Sequence, residues 1–295
     1  MCNIPKGPRK FHFAFERSGL TRFGGLSLLQ SLCRAFAIRR FLPTGVRWPE
    51  DDHRDDHPAA LFLAQVFSVV AGWGRIENTQ RLLHNGLLPP RRGRNDFPPR
   101  DTLRTFLRRS GPASLRSLQA AHDKVRGELF PRRGLLYRAT GDVDTTALRT
   151  SGWQEGVARG SIPQRRPTPS SSAPILCSAG RSGLSWGAEL RAGNVQATVG
   201  TGEFLQPVLD KLPSSLAASR TRLRRDGAFY DRKIIAPLEN QGFGQVVVAR
   251  RYPPLQKRLV SARDHGFAPG GEAAEFTHTP GQWKQEHLQE LRTDD

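Results

Sequence analysis

Cysteine is scarce in this chain: there are three, Cys2, Cys33 and Cys177, far apart and without a C-x-x-C pair. That spacing argues against a zinc knuckle and against a disulfide framework, and it suits a reducing cytoplasm. Long apolar runs are missing too. The longest, "AALFLAQVFSVVAGWG" from Ala59, contains Gln65 and is too short to span a bilayer, so a buried helix is expected there. The amino-terminal "MCNIPKGPRK" has no apolar core of the kind a secretory signal needs. No internal repeat is found. Acidic residues are in short supply, 27 against 45 Lys and Arg, which leaves a formal charge of +18. A surplus of that size points to a polyanionic partner, because each phosphate neutralised releases a counterion. Most of the basic residues are Arg, whose planar fork holds phosphate oxygens in pairs.

What is present is ample apolar residue for a core, 37% of the chain, over a length of 295 residues that suits one large domain or two modest ones. The first part reads helical. "LSLLQSLCRAFAIRRF" carries Leu28, Leu29, Leu32 and Phe36 at helical spacing. "DDHPAALFLAQVFSVV" offers Asp56 as an N-cap and Pro58 in the first turn. "RDTLRTFLRRS" opens at Asp101 and "PASLRSLQAAHDKVRGELF" at Ser114, the latter with a stripe of Leu115, Leu118, His122, Val125 and Leu129. His122 reads as a histidine at the edge of that packed face.

After Pro131 the period changes. "GDVDTTALR", "APILCSA" and "LSWGAEL" read as strands, the last with Leu184, Trp186, Ala188 and Leu190 on one face. "RRPTPSSSAP" between them reads as a turn-rich connection. "GTGEFLQPVLDKL" is a helix, "RTRLRRD" a short strand ending at Asp226, "YDRKIIAPLENQG" a helix and "GQVVVAR" a buried strand. "GFGQ" from Gly242 is a turn, since a phosphate-cradling glycine motif follows a strand instead of preceding one. Three strands followed by helix, strand, helix, strand is the element order of an RNase H-like mixed sheet, an α/β class with a helical region in front of it.

In that topology the first and fourth strands are neighbours at the centre of the sheet. Asp144 sits on the first and Asp226 ends the fourth. Two carboxylates gathered there repel unless a divalent cation bridges them, and an oxygen-rich site suits Mg²⁺ or Mn²⁺. The bland alternative is a pair of ordinary strand-end carboxylates. "EDDHRDDH", from Glu50 to His57, reads as a solvated acidic loop with an N-cap. "RRGRND" from Arg91, and Arg104, Arg108 and Arg109 on one helical flank, could contact DNA phosphates or simply form a solvated basic face.

"DVDTTALRTSGWQEGV", "ELRAGNVQATVGTGEFLQPVLDKLP" and "RLRRDGAFYDRKIIAPLENQGFGQVVVAR" together resemble the DDE transposases of bacterial insertion sequences, specifically transposase DDE domain group one. "FERSGLTRFGGLSLLQSLCRAF", "GWGRIENTQRL" and "DTLRTFLRRSGPASLRSLQAAHD" resemble the helical region of the same group, so the likeness runs over almost the whole chain in family order. The resemblance implies a helical DNA-binding and assembly region over 1–132, an RNase H-like catalytic core over 133–252 and the start of the family's insertion region over 253–295. It places the catalytic, metal-binding roles on Asp144 and Asp226 and makes Asp142 a non-catalytic neighbour. Arg222, Arg224 and Arg225 would flank the scissile phosphate. The activity implied is DNA transposition by metal-dependent phosphoryl transfer at terminal inverted repeats, by a homo-oligomer on DNA in the bacterial cytoplasm, associated with the nucleoid and with no membrane. The family's third carboxylate, a helical Glu, has no recognisable counterpart: Glu275, Glu286 and Glu290 stand in no such block. A truncated and inactive copy is therefore expected. The alternatives are a non-catalytic remnant that binds DNA ends or inhibits intact transposase, and another RNase H-like nuclease.

Overall fold

The computed structural model describes residues 23–45, 58–82, 97–132, 138–152, 154–160, 170–180, 182–249, 252–261, 265–266, 272–278 and 287–293. Contacts divide the chain into two units, Met1–Arg133 and Gly134–Asp295.

The described residues of the first unit form five α-helices, α1 (Leu26–Ala35), α2 (Ile38–Gly45), α3 (Pro58–Val70), α4 (Arg100–Arg109) and α5 (Pro112–Arg132), with a 3-10 helix at Ile76–Leu82. Pro58 opens α3, where a missing N–H costs nothing. The segment expected as one helix from Leu26 is two, because the chain turns at Ala37, which adopts a left-handed conformation (φ 49°). The break lets Leu26, Cys33 and Leu42 share one core with Leu61, Phe67, Leu82, Phe97, Leu103 and Phe106. It also corrects the expected stripe, since Leu28 and Leu32 are about half exposed. The face of α5 is rotated in the same way. Leu115 is exposed, whereas Ser114, Ala121 and Arg126 are buried, and Arg126 lies 3.5 Å from Asp123. His122 is half-exposed beside Asp123. Asp56 and the acidic loop 50–57 lie outside the described residues, as does "RRGRND". Among the described residues no helix is long and apolar enough to cross a membrane.

The second unit is built on a mixed sheet. Its strands are β1 (Ala139–Thr145), β5 (Ile175–Ala179), β6 (Ser185–Glu189), β7 (Thr221–Arg225) and β8 (Gly244–Val247), in the order β6-β5-β1-β7-β8. Strand β5 is antiparallel to β1 and to β6, whereas β1, β7 and β8 run parallel. Numbered within the sheet, the order is 3-2-1-4-5 with only the second strand reversed: an RNase H-like sheet. Parallel neighbours need crossovers, and helices α6 (Thr201–Asp210) and α7 (Arg232–Asn240) supply them.

Both helices pack on one face of the sheet. Phe204, Leu205, Val208 and Leu209 of α6 and Ile234, Ile235 and Leu238 of α7 are buried, as are Val143, Cys177, Leu223 and Trp186 of the sheet. Asp231 caps the start of α7 by accepting from the Lys233 N–H at 2.8 Å, and Pro237 lies inside the helix.

Three expectations are corrected here. The alternation assigned to "LSWGAEL" fails at a bulge: β5 and β6 shift register between Cys177 and Ser178, turning Trp186 inward while Ala188 and Leu190 stay exposed. Strand β8 is an edge strand and not a buried one, with Val246 exposed and Val248 just beyond it also exposed. The "SSS" of the supposed connection forms β4 (Ser170–Ser172), which joins β2 (Leu148–Arg149) and β3 (Ala158–Arg159) in a small antiparallel sheet. Beyond the mixed sheet, α8 (Pro253–Ser261) precedes a three-stranded meander, β9 (His265–Gly266), β10 (Glu272–His278) and β11 (His287–Thr293).

Candidate functional site

Side chains alternate across a strand, so β1 and β7 each present two faces. Gly141 and Val143 of β1 are buried, whereas Asp142 is half-buried and Asp144 exposed. On β7, Thr221, Leu223 and Arg225 are buried, whereas Arg222, Arg224 and, just past the strand, Asp226 are exposed. The open faces of the two strands coincide. Asp142 is the register partner of Arg224 and Val143 that of Arg225. Asp144 and Asp226 are the next residues after that last registered pair, Asp226 still in extended backbone before the turn that follows. The pair stands at the carboxyl ends of adjacent parallel strands.

Each carboxylate is oriented by main chain. Asp144 Oδ1 accepts from the Thr145 N–H at 2.7 Å. Asp226 Oδ1 accepts from the Ala228 N–H at 3.0 Å and so caps the short 3-10 turn Gly227–Phe229. The second oxygen of each has no partner among the described residues, and neither carboxylate is in an ion pair there. Two hard oxygen donors, exposed, on one face and without a cationic partner form a donor set that fits Mg²⁺ or Mn²⁺, which keep several waters and take few protein ligands. Among the described residues no group of three or more His, Cys, Asp or Glu gathers to hold a metal. Glu275 and Glu290 oppose each other in register across β10 and β11, on strands and not on a helix, while Glu286 lies outside the described residues.

The arginines divide. Arg222 is exposed with no acidic partner among the described residues. Arg224 is bound side-on by Asp142, Nε to Oδ1 and Nη2 to Oδ2, both at 2.8 Å. Arg225, expected beside the phosphate, is 3% exposed and points into the helix-covered side, where its Nη2 donates to Gln245 Oε1. Its position on the buried face of the alternation removes it from the solvent surface. In the first unit Arg104 is paired with Glu77 at 2.8 Å and with Asp101 at 3.5 Å, and Arg108 and Arg109 are exposed in the last turn of α4.

Arg191 escapes a reading of the sequence. It is 8% exposed; Nη1 donates to the Val199 carbonyl at 2.8 Å, Nε to Ala173 at 3.4 Å and Nη2 to Thr145 Oγ1 at 3.4 Å. Burial holds its pKa below the ordinary arginine value, an effect Glu189 partly offsets. Its acceptors are two carbonyls and a hydroxyl, which leave no charge pattern in the sequence.

Strand order and directions define an RNase H-like sheet. No protein-family model matches the chain, and no curated protein does. Among solved structures it is similar to piggyBac transposase in a synaptic complex with hairpin DNA, at 14% identity and a TM-score of 0.39 over 85% of this chain. It spans 55% of the length of that chain. It is also similar to Mos1 transposase in a paired-end complex with the left transposon end, at 12% identity and a TM-score of 0.27, covering 78% of this chain and 79% of that one. Likenesses this distant say nothing of chemistry, and the class rests on the strand order and directions alone.

Proposed function

We propose that this chain is a DDE-type transposase of a bacterial insertion sequence, which binds terminal inverted repeats through arginine-rich surfaces and holds a divalent cation between Asp144 and Asp226. The observation that supports the reading is the parallel register of β1 with β7, which ends one residue before Asp144 on one strand and before Asp226 on the other. The bound cation, Mg²⁺ or Mn²⁺, would supply Lewis-acid activation of an attacking hydroxyl and stabilisation of a leaving oxygen in phosphoryl transfer.

The chain's own residues have defined parts in that scheme. The Thr145 and Ala228 N–H groups fix one oxygen of each carboxylate, so the other is presented without a search through rotamers. Arg222 attracts and orients a backbone phosphate on the same face. Arg108 and Arg109 extend phosphate contact in the helical unit, whose role is DNA binding and assembly of a homo-oligomer on DNA. The third carboxylate that strand transfer calls for is not found among the described residues. The activity proposed is therefore end binding with metal capture, and strand cleavage that is weak or absent.

The test pairs two measurements on the full chain. Mn²⁺ binding followed by electron paramagnetic resonance should be lost in Asp144→Ala and in Asp226→Ala, with DNA affinity retained. Mg²⁺-dependent nicking of supercoiled DNA carrying the element's ends should be slow. Nicking that survives Asp144→Ala would sink the assignment of the site.

A further inference from the structure

Resting on the metal-site reading above, we propose that Asp142 is a positioning residue that captures Arg224 and thereby keeps the Asp144–Asp226 pair free for a cation. On the open face of β7, Arg224 and Asp226 are two residues apart, about 6.6 Å along the strand. An arginine side chain spans that distance. The same holds for Arg224 and Asp144 across the diagonal of the register. Left unpartnered, the guanidinium would meet a carboxylate of the metal pair, and a charge-assisted bidentate contact is the arrangement it favours most. It would then compete with the cation for the same oxygens.

The structure shows the alternative contact already made. Asp142 takes the Nε and Nη2 edge of Arg224 at 2.8 Å through both oxygens. The contact raises the Arg224 pKa, the hydrogen bond to Asp142 being the main cause and its charge the second. Space for this carboxylate is kept by Gly180, where a Cβ would lie 2.9 Å from Asp142 Oδ2. Register does the rest: because Asp142 is the direct cross-strand partner of Arg224, the two meet without distortion of either strand. The first Asp of D-x-D therefore serves the site without touching the cation.

A double-substitution cycle tests this, read as the Mn²⁺ dissociation constant by electron paramagnetic resonance at 1 M NaCl, where the Debye length of about 3 Å screens a charge two residues away along the strand. Asp142→Ala in the otherwise unaltered chain should weaken Mn²⁺ binding about three- to tenfold. In an Arg224→Ala background the same change should shift it less than twofold. Melting temperatures of all four proteins establish that each is folded, and Asp142→Asn provides a second variant of near-native shape. Equal weakening in both backgrounds overturns the proposal, since that is what loss of one negative charge acting through space gives. Absence of any effect of Asp142→Ala overturns it too. If the unaltered chain binds no Mn²⁺, the metal-site reading falls and the proposal with it. If it binds Mn²⁺, and Asp144→Ala and Asp226→Ala abolish binding while Asp142→Ala leaves it unchanged, the metal-site reading stands and the role of Asp142 does not.

Discussion

Arg191 and Thr145 are joined by a hydrogen bond of 3.4 Å across 46 residues of sequence, and the bond ties the end of β1 to the segment that leads into α6. The same guanidinium holds the Val199 and Ala173 carbonyls. Substituting Arg191→Met removes a buried donor and leaves those acceptors unbonded. A loss of about 3 kcal/mol in unfolding free energy is expected, measured by urea denaturation. Because Thr145 adjoins Asp144, Mn²⁺ affinity should fall in the same variant even at temperatures where it is fully folded.

Arg225 carries the opposite prediction. Burial pushes its pKa down to about 10, with Glu239 opposing, and its Nε and Nη1 have no hydrogen-bond partner among the described residues. At neutral pH the folded and unfolded chains both hold the proton, and the folded one bears the cost of desolvation. As pH rises through about 10 the folded arginine releases its proton first, so its contribution to stability improves until the unfolded group follows at its higher, ordinary value. Arg225→Met should therefore be more stable than the parent by about 1 kcal/mol at pH 7, after allowance for the lost Gln245 contact. That advantage should shrink in denaturation curves taken at pH 10 to 11. A constant advantage across that range would refute the account.

Two glycines separate packing from conformation. A Cβ at Gly141 would run into the Trp186 ring and lie 3.0 Å from Leu223 Cδ2, so Gly141→Ala should cost about 1–3 kcal/mol. Gly202, in the first turn of α6, has nothing within 4 Å of a Cβ, and Gly202→Ala should stabilise by up to about 1 kcal/mol. Thermal melts of the two variants should move in opposite directions.

For DNA, Arg222→Ala should weaken binding uniformly across sequences and reduce the slope of log affinity against log salt by about one. Arg225→Met should leave that slope unchanged, because its guanidinium does not reach solvent. Arg104→Ala should have a smaller effect than Arg108→Ala, since Arg104 is already neutralised by Glu77 at 2.8 Å. Fluorescence anisotropy over a salt series decides all three.

The sheet was legible in the sequence wherever side chains obeyed one period. "APILCSA" and "RTRLRRD" became β5 and β7, "GDVDTTALR" divided into the end of β1 and β2 of the small sheet, and the helices around Phe204 and Ile234 fell where their apolar spacing indicated. Failures have local causes. Trp186 sits on a bulge, which no alternation reveals. Three serines of low strand preference form β4 because strands on either side pair with them. Val246 and Val248 look like core residues and are exposed, since an edge position is a property of the sheet and not of the strand. In α5 the stripe through Leu115 was off by a fraction of a turn, enough to exchange it for Arg126 on the buried side. Asp144 and Asp226 were singled out from the expected element order, and the strand order of the sheet agrees with that order. Arg191 and the Asp142–Arg224 contact required coordinates.

The pairing of β1 with β7 also has a temporal consequence. The two carboxylates belong to strands separated by some eighty residues, and they meet only once that whole loop has closed. A growing chain that has not yet emitted Asp226 contains half a site and nothing to complete it. Any cation held by both residues would bind the native state alone, so its affinity is coupled to folding: the ion would raise the unfolding free energy as its concentration exceeds its dissociation constant. Capture of the ion thus reports that the distant ends of this loop have found each other.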